Sequence, residues 1–247
     1  MTEFQIFFFG FIFAIFNRMK NEYKLPFRKS VVLIPLFIIV VLWAVYWIEI
    51  QFSLNFTKHG LLPRKITGLQ GVFYAPFIHK DTNHLFNNSI PLMVLLSSLL
   101  YFYKAVWKKV LIVGTILTGI LTWVIAREAY HIGASGVVYL LFSFVFFSGI
   151  IKRQYQLVAV SLIIIFLYGG MVWYVFPLKE DISWEGHLSG FIIGLLFAVY
   201  YRNTGIVSKE YQFKETEFDL LFDDEGNFIP PPPPPPETVI DNETGAD

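Results

Sequence analysis

The chain has 247 residues, of which 55% are hydrophobic and 19% aromatic while only 15% are charged, against about 25% charged in an average soluble domain. Basic and acidic residues number 19 each, so the net charge is zero, and cysteine is absent. This composition excludes a soluble globular domain, a nucleic-acid binder built on a basic stripe, and any disulfide or thiolate metal site.

The first apolar run, residues 4–16, falls short of the ~20 residues needed to cross the hydrocarbon core and reads as an interfacial helix. It lacks the basic flank and small-residue cleavage site of a signal peptide. Residues 31–50 form the first full span, with Trp43, Tyr46 and Trp47 at the level of an aromatic belt. Residues 51–83 are too polar to cross but rich in Phe, Leu and Pro, a loop expected to rest partly in the bilayer surface. Residues 85–103, 106–126, 135–150, 157–176 and 186–201 are predicted as spans two to six, giving an all-α polytopic membrane protein. The fourth is short, so its N-terminus is expected below the membrane surface.

Basic residues cluster at 18–29, 104–109, 152–153 and 202–209, all on one side of the predicted bundle. The positive-inside rule makes that side cytoplasmic, together with both termini. The opposite side carries the 51–83 loop, Arg127 with Glu128, and Glu180, Asp181 and Glu185. Three regions follow: an N-terminal segment 1–30, a six-helix domain 31–202 and an acidic, proline-rich tail 203–247 expected to be disordered. The all-proline run 230–236 favours polyproline II. It reads as a solubilising tail in the commoner case, or as the ligand of a proline-reading partner. Residues 218–222 are a candidate docking helix.

Polar groups within spans are costly, so each is a functional candidate. Ser135 opens span four inside Gly133-Ala-Ser-Gly136, where unpaired N–H groups and the positive end of the helix dipole converge. Gly133 allows close approach of another chain segment, and Gly136 permits a turn that other residues resist. Tyr139 lies one turn below Ser135, and His84 and Asn88 share a face of span two at i, i+4. His187 heads a small-residue stripe of Gly186, Gly190, Gly194 and Ala198, which brings helix backbones close. If that stripe meets span four, His187 reaches Ser135 as a Ser/His dyad with Tyr139 beneath the imidazole. The Ser135 N–H, His84 and Asn88 then supply donors for a developing oxyanion.

Each feature also has a plainer reading. Gly-x-Ser-Gly is often only a packing patch, His84 with Asn88 can simply tie down the 51–83 loop, and His187 can be an interhelical hydrogen bond. Together they favour catalysis. A metal or transport role for His79, His84, His131 and His187 is disfavoured, because His79 and His84 do not share a helical face and no carboxylate lies inside spans two to six. No metal or cofactor is expected, and His131 is expected to cap its loop.

The ordered set resembles the rhomboid family of intramembrane serine proteases, in its six-helix bacterial form, over roughly residues 31–201. His84-Leu-Phe-Asn-Asn88 resembles the family's His-x-x-x-Asn element, Gly133-Ala-Ser-Gly136 its Gly-x-Ser-Gly motif, and Gly186-His-Leu-Ser-Gly190 through Gly194 its histidine-bearing glycine helix. The resemblance implies Ser135 as nucleophile, His187 as general base and then acid, and His84 with Asn88 in the oxyanion hole. Tyr139 would underlie the histidine, Gly133, Gly136, Gly190 and Gly194 would support the site, and His79 would be structural. It further implies a bacterial inner-membrane protein whose site opens to the periplasm. The partner would be the transmembrane segment of a membrane-protein substrate, entering from the lipid bilayer between spans two and five. Val72-Phe-Tyr-Ala-Pro-Phe77 lacks the Trp-Arg pair of many members, so the resemblance supplies no anchor for that loop. The alternative is a catalytically silent rhomboid-like binding or quality-control protein; such relatives usually lack the serine or the histidine, and here both are present.

Overall fold

A computed structural model describes residues 28–167, 173–177, 182–204, 218–223 and 225–230. The expected interfacial helix at 4–16 and the proline run beyond residue 230 lie outside the described residues. Six long helices account for most of the rest. They are α1 (Ser30–Gln51), α2 (Thr82–Phe102), α3 (Gly114–Ile125, preceded by a π-helical stretch Lys109–Val113), α4 (Ser135–Ile151), α5 (Tyr155–Leu167) and α6 (Trp184–Tyr200). No strand occurs among the described residues, only two isolated bridges. The fold is therefore all-helical and apolar. By length and composition α1 and α2 suffice to cross a membrane, and the other four are shorter apolar helices.

Helix ends follow local chemistry. α2 begins three residues earlier than its apolar run because Asp81 caps it, accepting a hydrogen bond from the His84 N–H at 2.8 Å. α4 has no such cap: Ala134 precedes it and offers no side-chain acceptor. Span five does not run as one helix through residue 176, since Trp173–Val175 is a 3₁₀ turn.

α4 is the centre. Every residue from 137 to 145 is buried, and α2, α3, α5 and α6 pack around it, α6 most extensively. The α4–α6 contact has the close approach that the small-residue stripe predicts. A Cβ on Gly190 would collide with the Gly136 carbonyl oxygen, and one on Gly194 with that of Leu140. With no side chain between them, the backbones touch. The Ser143 hydroxyl locks the pair by donating to the Phe191 carbonyl at 2.7 Å. α1 lies at the periphery against α2, held by Trp43 Nε1 donating to Ser89 Oγ at 3.1 Å and by the Tyr46 and Thr82 hydroxyls, also 3.1 Å apart.

The loop between α1 and α2 has its own anchors. Arg64, at φ 56°, donates to the Val124 and Ala126 carbonyls at the C-terminal end of α3, at 3.3 and 2.5 Å. Trp123 Nε1 donates back to the Lys65 carbonyl at 3.0 Å. Leu61 and His131 exchange backbone hydrogen bonds of 3.0 and 2.8 Å, and the Gly133 N–H donates to the Ala75 carbonyl at 2.8 Å. The loop is thus anchored by an arginine and a tryptophan from different segments.

Residues 209–247 form a second compact unit. Its described part is a 3₁₀ turn, Asp219–Leu221, followed by a bridge between Phe222 and Phe228. The turn in that bridge is organised by Asp223, whose carboxylate accepts from the Glu225 and Asn227 N–H groups at 3.0 and 2.7 Å. The candidate docking helix at 218–222 is therefore a single turn.

Candidate active site

Ser135 and His187 open α4 and α6 and meet where the two backbones touch. His187 Nε2 lies 2.9 Å from Ser135 Oγ, and its Nδ1 lies 2.8 Å from the Tyr174 carbonyl oxygen. A carbonyl only accepts, so Nδ1 carries the proton and Nε2 is left to accept from the serine hydroxyl. A backbone carbonyl thus sets the tautomer, the part a carboxylate plays in a catalytic triad. The Tyr139 ring stacks on the imidazole at 4.3 Å between centroids and 15° between planes. A hydroxyl paired with an unprotonated imidazole nitrogen can be activated as a nucleophile.

His84 and Asn88 face the same place from α2. Asn88 is buried, and its Nδ2 has no hydrogen-bond partner among the described residues. That amide lies beside Gly133, where a Cβ would stand 3.7 Å from Asn88 Nδ2 and 2.6 Å from His84 Cε1. Gly133 also has φ +108°, a left-handed backbone that disfavours a side chain. The expectation for Gly136 is corrected. It sits in the first turn of α4 and is not among the glycines with positive φ. Its use is packing, since a Cβ there would lie 3.3 Å from the Gly186 carbonyl oxygen.

Ser135, His187, His84, Asn88 and Tyr139 all line one open cavity of about 1080 Å³. Its lining therefore includes a paired serine, an amide unpaired among the described residues, and the first turn of α4, whose N–H groups have no intrahelical acceptor. Donors left unpaired in the lining of a cleft suit a ligand oxygen that bears negative charge.

Two buried histidines hold the surrounding loops. His79 accepts from the Ala134 N–H at 3.3 Å and meets the His84 ring edge-on at 5.1 Å. Burial, helped by the neighbouring His84, lowers its pKa to about 4. His131 does more than cap its loop. Its Nε2 donates to the Arg127 carbonyl at 3.1 Å, leaving Nδ1 to accept from the Ser183 hydroxyl at 2.6 Å at the head of α6. Burial also lowers its pKa.

Charge pairs missed by sequence reasoning reinforce this tie. Glu185, 1% exposed, accepts from the Arg127 guanidinium at 3.2 Å and from its backbone N–H at the same distance. Arg127 also donates to the Ile182 carbonyl at 2.8 Å. Both residues were visible as loop charges, but nothing in the sequence pairs them. Tyr174 gave no signal at all, because it contributes a carbonyl that any residue possesses.

An apolar helix bundle closed around a serine–histidine pair describes a class of membrane-embedded proteins. The Rhomboid domain matches residues 67–204, more than half of the sequence, and the chain belongs to the rhomboid family, whose members are generally intramembrane serine proteases. Uncharacterized proteins of Mycobacterium tuberculosis and Mycobacterium bovis are each 35% identical over 151 residues, covering 57% of this chain and 62% of theirs. One from Mycobacterium leprae is 30% identical over 153 residues, covering 57% of this chain and 59% of its own. The chain thus spans about three fifths of the length of these relatives.

Proposed function

We propose that the protein is an intramembrane serine endopeptidase in which Ser135 is the nucleophile and His187 the general base. The observation that carries this reading is the 2.9 Å contact between His187 Nε2 and Ser135 Oγ, with Nδ1 held by a backbone carbonyl. Ser135 Oγ attacks the scissile carbonyl carbon as its proton passes to His187 Nε2. The oxyanion is held by the Ser135 N–H, the Asn88 amide and His84. Collapse breaks the C–N bond, and His187 gives its proton to the leaving amine. Water then attacks the acyl ester with His187 again as base, which restores the serine.

In this reading the six helices are the membrane spans, with the basic loops cytoplasmic. α4 has 17 residues, about 25 Å of helix, shorter than the ~30 Å hydrocarbon core. Ser135 accordingly lies below the outer surface, with the cavity opening to the periplasm of a bacterial inner membrane. The substrate is the transmembrane segment of another membrane protein, entering between α2 and α5.

A fluorophosphonate serine-hydrolase probe on the detergent-solubilised protein tests the reading. Wild type is expected to be labelled, and Ser135→Ala and His187→Ala to lose labelling while keeping the wild-type melting temperature to within a few degrees. Wild type that stays unlabelled, beside an active membrane protease that labels, would move the protein to the silent branch of the family.

A further inference from the structure

α2 carries a polar turn that the catalytic reading does not use. Asn83, Asn87 and Pro91 recur at every fourth residue on one face and line the same cavity as Ser135 and His187. Both asparagines are exposed, and no hydrogen bond to either side chain occurs among the described residues. The adjacent polar residue Ser89 is satisfied, donating to the Leu85 carbonyl at 2.8 Å and accepting from Trp43. Pro91 lies inside the helix and has no N–H, so the carbonyl of Asn87, four residues earlier, lacks its helical donor. Two residues that line one cavity therefore supply two amides, and one of them also a carbonyl without its helical donor. Asn87 lies about 8 Å along the axis from the start of α2, where unpaired polar groups are costly unless they meet water or a polar ligand.

We propose that this turn is a polar subsite that reads a neutral hydrogen-bonding side chain, Asn, Gln, Ser or Thr, in the unwound substrate segment beside the scissile bond. The inference rests on the protease reading above. The freed carbonyl only accepts and the amides both donate and accept, so the occupant must bring a donor, which Leu and Ala lack. Charge is not selected, because Lys80 and Asp81, of opposite sign, line the same cavity, and Arg127, which also lines it, is paired with Glu185. A segment that leaves its helix must also find partners for its own polar groups, and this turn offers them within the cleft.

The test uses the full chain in detergent micelles with synthetic transmembrane peptides of about 20 residues, built from Leu and Ala around a central Ala-Ala pair. Each position flanking that pair is made Leu or Gln in turn, and protection of Ser135 from the fluorophosphonate probe is measured for every peptide. For wild type, Gln at one position is expected to protect about tenfold better than Leu there, the effect of roughly one hydrogen bond. The Asn83→Leu/Asn87→Leu protein is expected to lose that preference. The Asn83→Ser/Asn87→Ser protein keeps it, which separates recognition from misfolding. If wild type is labelled but ranks Gln and Leu equally at every position, or if the leucine pair keeps the preference, the inference is overturned and the turn holds water only. Wild type that is never labelled defeats the protease reading, and this inference with it.

Discussion

α1 and α4 are both strongly apolar helices, yet they stand at opposite extremes of the fold. Residues 137–145 of α4 are all buried, whereas Leu33, Phe37, Val40 and Trp47 of α1 are exposed by 56, 67, 56 and 59%. Lipid tails are as apolar as leucine, so hydropathy brings a helix into the membrane without choosing its neighbours. What separates the two is the small and polar residues. α4 offers Gly136 and Ser143 to α6, and the glycines of α6 let the backbones touch. α1 has no comparable stripe and packs mainly against α2.

The comparison breaks most sharply at Gly194. Gly194→Leu must push α6 away from the Leu140 carbonyl, which overpacks the contact by about 3 kcal/mol or more. The expected outcome is loss of fluorophosphonate labelling together with a clear fall in melting temperature. Labelling that survived would mean that the α4–α6 contact does not set the serine–histidine distance.

A smaller effect sharpens the role of the head of α4. His79 Nε2 accepts from the Ala134 N–H, so this buried histidine works while neutral. Its pKa is about 4 when folded and 6.5 in the unfolded chain. Between those values the unfolded state binds more protons, so stability falls as pH drops through this window and is fully present above it. At pH 5.5 the loss is about 1.4 kcal/mol. Thermal unfolding at pH 8 and pH 5.5 is expected to show it in wild type, and His79→Gln to flatten the difference. An unchanged pH dependence in that variant would assign the sensitivity elsewhere.

The smallest effect belongs to α1. Phe37→Ala removes a large side chain that touches little protein, and is expected to change stability by less than ~0.5 kcal/mol and labelling not at all. A loss comparable to that of Gly194→Leu would show that α1 packs against something the single chain lacks.

Much of the site was legible because spacing carries it. The i, i+4 relation of His84 and Asn88, of Ser135 and Tyr139, and of the α6 glycines is a consequence of 3.6 residues per turn. The stripe next to His187 predicted a close helix contact, and the structure shows that its partner is span four. Illegible features were those in which side-chain identity plays no part or in which partners are far apart in sequence. The Tyr174 carbonyl that fixes the His187 tautomer is one. The Arg127–Glu185 pair, 58 positions apart, is another, and so is the loop anchor of Arg64 and Trp123. Two readings changed for local reasons. Gly136 is a packing glycine inside a regular helix, and the end of span five is interrupted by a 3₁₀ turn.

By itself the sequence determined that the chain is helical and apolar, which residues share a helical face, and which polar groups sit where a membrane protein needs a reason for them. Periodicity and composition suffice for that, because both act within one helix. Only the tertiary structure decided that Ser135 and His187 lie 2.9 Å apart, that α4 rather than α1 is central, and that the Tyr174 carbonyl holds His187 Nδ1. Those outcomes depend on how closely two backbones approach, and that distance is set jointly by residues such as Gly136 and Gly190 that are neighbours only after folding.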